Sequence, residues 1–182
     1  MHSFLTTYNT VAVPELTKKV SYPSTYLIPK VTKVVVNVGI GDLQGNTKGT
    51  EEAIQLVGRL TGQKPVLTKA RKAISGFKIR QGMDVGLKVT LRGERMYDFL
   101  AKLIMVTLPR TRDFRGLKSS AITADGNLNL GIRDTSIFPE ASEDGTSHGI
   151  QITIVSTASS LDEARTLYTS LGFPFPSEGI TA

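Results

Sequence analysis

Four stretches of this chain alternate apolar and polar residues with a period of two, and that pattern limits the possible folds more than any other feature. In Lys33-Val34-Val35-Val36-Asn37-Val38-Gly39-Ile40, the set Val34, Val36, Val38, Ile40 points one way and Lys33, Val35, Asn37, Gly39 the other. The same split recurs in Leu87, Val89, Leu91 against Lys88, Thr90, Arg92, in Leu128, Leu130, Ile132 against Asn127, Asn129, Arg133, and in Ile150, Ile152, Ile154 against Gln151, Thr153, Val155. Successive side chains of a strand leave opposite faces, so each stretch is read as a strand with one apolar face.

Between the strands the period changes. Residues ~48–61 place Ala53, Ile54, Val57 and Leu60 on one stripe, residues ~94–107 Met96, Phe99, Leu100, Leu103 and Val106, and residues ~161–171 Leu161, Ala164, Leu167 and Leu171. Ser160 with Glu163 three residues on is a capping-box start, and Gly172 before Phe173-Pro174 is a helix stop. Glu51-Glu52 are read at a helix start, where they favour the macrodipole. A weaker helix is expected over ~3–20, bent near Pro14. Helices on one face of a mainly antiparallel sheet would bury the aliphatic sets, which predicts an α+β fold with an open second face. That face would show Lys33, Asn37, Lys88, Thr90, Arg92 and Arg133, donors and positive charge suited to an RNA backbone. No repeat or low-complexity linker interrupts the 182 residues, so one domain over 1–182 is expected, with a helical arm at 1–22, a projecting basic loop at 70–86 and a tail at 176–182.

The net charge of +6 is unevenly spread. Residues 1–57 carry +1, 58–95 carry +8, 96–133 carry +3 and 134–182 carry −6. A local basic surface attracts polyanions whatever the rest of a chain carries. The acidic quarter would repel nucleic acid and is expected to face solvent, another side of the particle, or a basic protein.

Enzyme chemistry finds little purchase. The chain has no cysteine, which excludes disulfides, thiolate metal sites and cysteine nucleophiles. Gly39-Ile40-Gly41 invites a dinucleotide-binding reading, but Gln44 stands at its sixth position and no parallel βαβ alternation follows. Gly58 to Pro65 is only loosely a P-loop, with Gln63 at the second glycine position and Pro65 where a Ser or Thr would hold magnesium. His2 and His148 have no metal-ligand spacing, and Glu143-Asp144 reads as a loop pair. No cofactor and no metal are expected. No apolar run approaches the ~20 residues of a membrane span, and the N-terminus lacks the character of a signal peptide, so the chain reads as soluble and intracellular.

The strongest chemical signal is Lys69-Ala70-Arg71-Lys72-Ala73-Ile74-Ser75-Gly76-Phe77-Lys78-Ile79-Arg80, five basic residues and no acid, followed by Gln81-Gly82-Met83-Asp84-Val85-Gly86. Its glycines oppose a continuous helix and predict a long excursion between two strands. The basic side chains can neutralise phosphates, and Phe77 offers a face for stacking on an unpaired base; the bland alternative is that Phe77 and Ile79 fold back into a local apolar cluster. A second basic loop, Pro109 to Lys118, suits RNA or protein, and in it Asp113 is placed to pair with a neighbouring arginine. Two other function classes stay open at this level: a nucleotide-dependent enzyme built on Gly39 and Gly41, and a basic adaptor for acidic proteins or anionic membranes.

Taken together, Asn37-Val38-Gly39-Ile40-Gly41, Thr61-Gly62-Gln63-Lys64-Pro65, Thr68-Lys69-Ala70-Arg71-Lys72, Gly76-Phe77-Lys78-Ile79-Arg80-Gln81-Gly82, Val89-Thr90-Leu91-Arg92-Gly93-Glu94-Arg95-Met96, Pro109-Arg110, Arg112-Asp113-Phe114-Arg115-Gly116, Gly131-Ile132-Arg133 and Ile137-Phe138-Pro139-Glu140 resemble the family of bacterial-type large-subunit ribosomal protein five, in order from about Tyr8 to Phe175. The resemblance implies an α+β fold, no catalysis, and a structural role anchoring 5S ribosomal RNA in the central protuberance of the large subunit. Carried onto matching positions, it implies 5S contacts at Asn37, Gln63, Phe77 and Thr90, helped by Lys64, Lys69, Arg71, Lys72 and Arg92. It implies that the loop around 72–84 reaches P-site transfer RNA, with Lys78 and Arg80 chosen there. It further implies a bridge to small-subunit protein thirteen through Arg110, Arg112 and Arg115 and through the loop near 134–148 with Glu143 and Asp144. That protein is basic, which suits the acidic C-terminal quarter. The other implied partners are 23S ribosomal RNA and neighbouring central-protuberance proteins, with no membrane and no obligate homo-oligomer, and the implied location is the ribosome of the cytoplasm or of an organelle. The sequence departs from the family pattern at Ile122-Thr123-Ala124-Asp125-Gly126, at His148-Gly149, and at Pro176 with the tail Ser177 to Ala182.

Overall fold

A computed structural model describes residues 4–20, 22–43, 46–112, 114–141 and 148–176. All four alternating stretches are strands: β1 (Val31–Gly39), β3 (Asp84–Leu91), β4 (Leu128–Ile132) and β5 (Ile150–Ser156), joined by a further short strand, β2 (Val66–Lys69). They form one five-stranded antiparallel sheet in the order β2-β3-β1-β5-β4, and the fold is α+β. Burial follows the alternation. Val34, Val36, Val38, Leu87, Val89, Leu91, Leu128, Leu130, Ile152 and Ile154 are buried, whereas Asn37, Lys88 and Gln151 are exposed. At roughly 1.5–3 kcal/mol for each fully buried aliphatic side chain, this register is strongly preferred, because a slip of one residue would turn every apolar group outward.

The helices are α1 (Phe4–Thr7), α2 (Val13–Lys19), α3 (Thr47–Thr61), α4 (Glu94–Lys102), α5 (Leu108–Arg110) and α6 (Leu161–Ser170). Two π-helical turns, Tyr8–Ala12 and Leu103–Thr107, lead into α2 and α5. Each closes with an i to i−5 bond, from the Val13 N–H to Tyr8 O and from the Leu108 N–H to Leu103 O. A proline follows immediately in both cases, Pro14 and Pro109. Proline lacks the N–H that would continue the ladder and its ring crowds the carbonyl four residues back, so widening the preceding turn lets the helix pass without breaking. Where a bend is expected near Pro14, the chain has a π turn just upstream of it.

Other local expectations need adjustment. Helix α3 begins at Thr47 with Asn46 as its cap, the Asn46 side chain accepting from the Gly49 N–H at 3.1 Å, so Glu51 and Glu52 lie past the first turn and do not serve the helix start. On α6 the Ser160 hydroxyl accepts from the Glu163 N–H at 3.3 Å, while the Glu163 carboxylate turns to the N–H and hydroxyl of Ser159. Leu161, expected on the buried stripe of α6, is exposed, and Tyr168 supplies the bulk instead, fully buried with its hydroxyl donating to Gly126 O and Ile154 O. Gly172 ends the helix at φ +90° as expected.

The chain forms two compact units, one of Met1–Val34, Arg92–Leu130 and Thr153–Ala182, the other of Val35–Leu91 and Gly131–Ile152. In the first, α6 delivers Phe173 into the core, its ring edge-on to Tyr168 with centroids 5.7 Å apart. In the second, α3 covers the apolar side of β3 with Ala53, Leu56, Val57 and Leu60 buried.

Candidate nucleic-acid interface

Within the second unit, the alternation of β1 and β3 leaves Asn37, Lys88 and Thr90 on the face opposite the core. The β2 pairing adds to this face, because Val66 stands opposite Lys88 and Thr68 opposite Gly86. A β-carbon on Gly86 would lie 2.8 Å from Thr68 Oγ1, 3.2 Å from Val38 O and 4.0 Å from Asn37 Oδ1. Glycine at this point lets the Thr68 hydroxyl and the Asn37 amide close over the sheet backbone. Gln63 follows the left-handed Gly62 that ends α3; its side-chain amide donates to Thr90 O at 3.5 Å, a long and weak bond, and its own carbonyl accepts from the Thr61 hydroxyl at 3.0 Å. The fold therefore brings Gln63 to Thr90, and Asn37 to Thr68. Lys64 is exposed beside the buried Pro65, and Arg92, the first residue after β3, is exposed.

The basic stretch is an extension of the β2–β3 hairpin. Strand β3 begins at Asp84 and so takes the last three residues of the expected 70–86 loop. Beyond the strands the two arms stay paired: the Ala70 N–H donates to Met83 O at 2.8 Å, and Ile74 and Ile79 exchange bonds of 2.9 and 3.1 Å. The tip is a 3₁₀ turn, Ser75–Phe77, closed by the Lys78 N–H donating to Ser75 O at 3.0 Å. Lys78 adopts φ +55°, the one left-handed non-glycine residue among those described. Lys69, Arg71, Lys72, Lys78 and Arg80 are all exposed, and Phe77 is 73% exposed. The ring does not fold back into an apolar cluster; only Ile79 is half-buried.

The second basic loop lies in the first unit. Arg110, at the end of α5, and Arg112 and Arg115 beyond it are exposed, while Asp113 lies outside the described residues. Its far end is held: Leu117 is buried and its N–H donates to Pro174 O at 2.8 Å, and Gly116 at φ +100° passes so close that a β-carbon there would meet Pro176 at 3.1 Å. In the second unit, 3₁₀ turns at Thr135–Ile137 and Pro139–Ala141 lead toward Glu143 and Asp144, which lie outside the described residues, and the His148 N–H donates to Thr135 Oγ1 at 3.2 Å. No cluster of metal-ligating side chains occurs among the described residues, and Gly58 to Thr61, part of the weak P-loop match, are α3 helix.

Sequence reasoning missed β2, and with it Thr68. Val66-Leu67-Thr68-Lys69 follows Pro65 and is rich in strand-forming residues, but it is too short for alternation to reveal it.

A sheet buried on one side and polar and basic on the other, extended by a paired cationic hairpin with an exposed aromatic tip, defines a nucleic-acid-binding protein. Comparison with known proteins gives the family. Residues 24–80 match the family model described as ribosomal protein L5, and residues 84–175 the one described as the ribosomal L5P family C-terminus. The chain is 49% identical over 176 residues to the large ribosomal subunit protein uL5 of Lactobacillus delbrueckii subsp. bulgaricus, covering 96% of this chain and 98% of that one. It is 49% identical over 164 residues to the uL5 of Pediococcus pentosaceus, covering 89% of this chain and 91% of that one. The chain belongs to the ribosomal protein L5 family. It is a ribosomal, RNA-binding protein and not an enzyme, which overrides the nucleotide-dependent reading of Gly39 and Gly41.

Proposed function

We propose that this chain, a large-subunit ribosomal protein by family, binds 5S ribosomal RNA through the open face and hairpin of its second unit and anchors it in the central protuberance. The observation that carries this reading is the conjunction on one hairpin of five exposed cations and a 73% exposed phenylalanine with the polar face below it. Cations bind phosphates without reading sequence, an aromatic face stacks on an unpaired base, and amide and hydroxyl groups complete hydrogen bonds to sugar and base edges. In this reading Asn37, Gln63, Phe77 and Thr90 contact 5S RNA, with Lys64, Lys69, Arg71 and Lys72 on its phosphates, and Thr68 joins them; Arg92, which opens a segment of the first unit, is a further phosphate contact. Lys78 and Arg80, the cations nearest the hairpin tip, contact P-site transfer RNA. Arg110, Arg112 and Arg115 contact small-subunit protein thirteen, and Glu143 and Asp144 form a separate contact to it. 23S RNA and neighbouring central-protuberance proteins complete its surroundings.

Titration against 5S RNA and against a transfer RNA, at several salt concentrations, tests the assignment. Both affinities should fall by roughly 0.7–0.9 log units per log unit of salt for each phosphate neutralised, with 5S RNA keeping a large advantage at physiological salt. Coincident curves would reduce the hairpin to a general polyanion patch.

A further inference from the structure

Tyr26 is the most exposed large apolar residue of those described, at 91%, with Leu27 beside it at 58%. The two sit on a 3₁₀ turn, Thr25–Leu27, in the first unit. The turn is held firmly. The Ser24 hydroxyl caps it by accepting from the Tyr26 N–H at 3.4 Å, and the Leu27 N–H donates to Ser24 O at 3.0 Å. Immediately after it Ile28, Pro29 and Val31 are buried, and the Tyr8 hydroxyl donates to Pro29 O at 3.1 Å. Lys30 is fixed on both sides of its backbone, its N–H donating to Thr157 Oγ1 at 3.0 Å and its carbonyl accepting from the Thr157 N–H at 3.0 Å. An aromatic ring 91% exposed on a turn tied to the fold on its C-terminal side adds almost no burial.

The surrounding sequence selects the partner. From Leu16 to Gly41 the chain has four lysines and no acidic residue. In space, Glu163, which the Tyr22 hydroxyl contacts, lines one pocket with Glu15 and Asp162 beside Lys19 and Val20, but neither Tyr26 nor Lys30 is hydrogen-bonded to any of the three. An exposed aromatic in an acid-free, lysine-bearing stretch of an RNA-binding chain has the composition of a stacking site, in which the ring takes an unpaired base and lysine its phosphate. We propose that Tyr26 is a second base-stacking platform for ribosomal RNA, separate from Phe77, with the exposed Lys30 as its phosphate contact. The site depends on the chain's RNA-binding class and not on the choice of 5S RNA.

The test is an oligoadenylate titration of the full chain as wild type, Tyr26→Ala, Tyr26→Phe and Lys30→Ala, with 5S RNA in parallel. Tyr26→Ala should weaken oligoadenylate binding by about 5- to 100-fold at an unchanged salt slope, and Tyr26→Phe should bind within about twofold of wild type. Lys30→Ala should lower the slope by about 0.7. Thermal unfolding of Tyr26→Ala should match wild type, since the ring is solvent-exposed. The proposal is overturned if wild type fails to bind oligoadenylate, if Tyr26→Ala binds as wild type, or if Tyr26→Ala lowers Tm by several degrees. Loss of the 5S advantage with the Tyr26 effect intact would instead overturn the 5S assignment alone.

Discussion

At the scale of single residues, Lys78 carries an unusual cost. A left-handed conformation crowds the β-carbon of any L-residue by about 1–2 kcal/mol, and glycine adopts it freely. Lysine at φ +55° on an exposed tip buries nothing in return, and what it offers that glycine lacks is its charge. Lys78→Gly should therefore slow amide exchange at Ile74 and Ile79 while weakening RNA binding and reducing its salt slope; equal RNA binding by the two proteins would show that the tip charge is unused. Tyr168 makes a different prediction. Burial, opposed in part by hydrogen bonds, pushes its phenol up to about 12 from 10.0. The unfolded phenol ionises first, so stability from this group is intact below pH 10 and drains away as pH rises toward 12. Denaturant unfolding followed from neutral pH into that range should show this fall in wild type and a shallower one in Tyr168→Phe. At neutral pH that variant should lose about 1 kcal/mol with the one O–H donor shared between Gly126 O and Ile154 O.

At the scale of elements, two close approaches decide how the binding surfaces are held. The β2–β3 crossing depends on Gly86, where a β-carbon would press on Thr68 and on the Val38 carbonyl. Gly86→Ala should cost about 1–3 kcal/mol, and Thr68→Ala in the same chain should restore part of it by removing the nearest atom, as a double-mutant cycle in urea would read. The Arg110–Lys118 loop is tied instead by the segment after α6. Truncation after Phe173 removes the acceptor of the Leu117 N–H and the prolines over Gly116, so cleavage by trypsin at Arg112 and Arg115 should accelerate with little change in Tm. Unchanged cleavage would show that the loop is held from elsewhere. Neither approach was legible in the sequence. A glycine in a strand signals close contact in general, but the atom it meets is set by the register of a neighbouring strand.

At the scale of the whole molecule, the hairpin arms and the sheet face should be separable. Deleting residues 73–82 removes the 5S contact Phe77 together with Lys78 and Arg80 but leaves the Ala70 N–H bond to Met83 O and the β2–β3 ladder in place, so 5S binding should weaken yet survive better than transfer RNA positioning; equal loss of both would refute that division. The sequence by itself determined the four long strands, the faces they bury, the three main helices and the basic charge of the hairpin. Each of these follows from periodicity or composition within one stretch, and burial of that stretch has only one favourable orientation. Tertiary structure alone decided that Val66–Lys69 is a strand, that Thr68 and Asn37 close over Gly86, that Phe77 stands in solvent, and that prolines 14 and 109 are absorbed by π turns. These depend on partners distant in the chain, or on slack in a ladder of hydrogen bonds, and no local pattern encodes either.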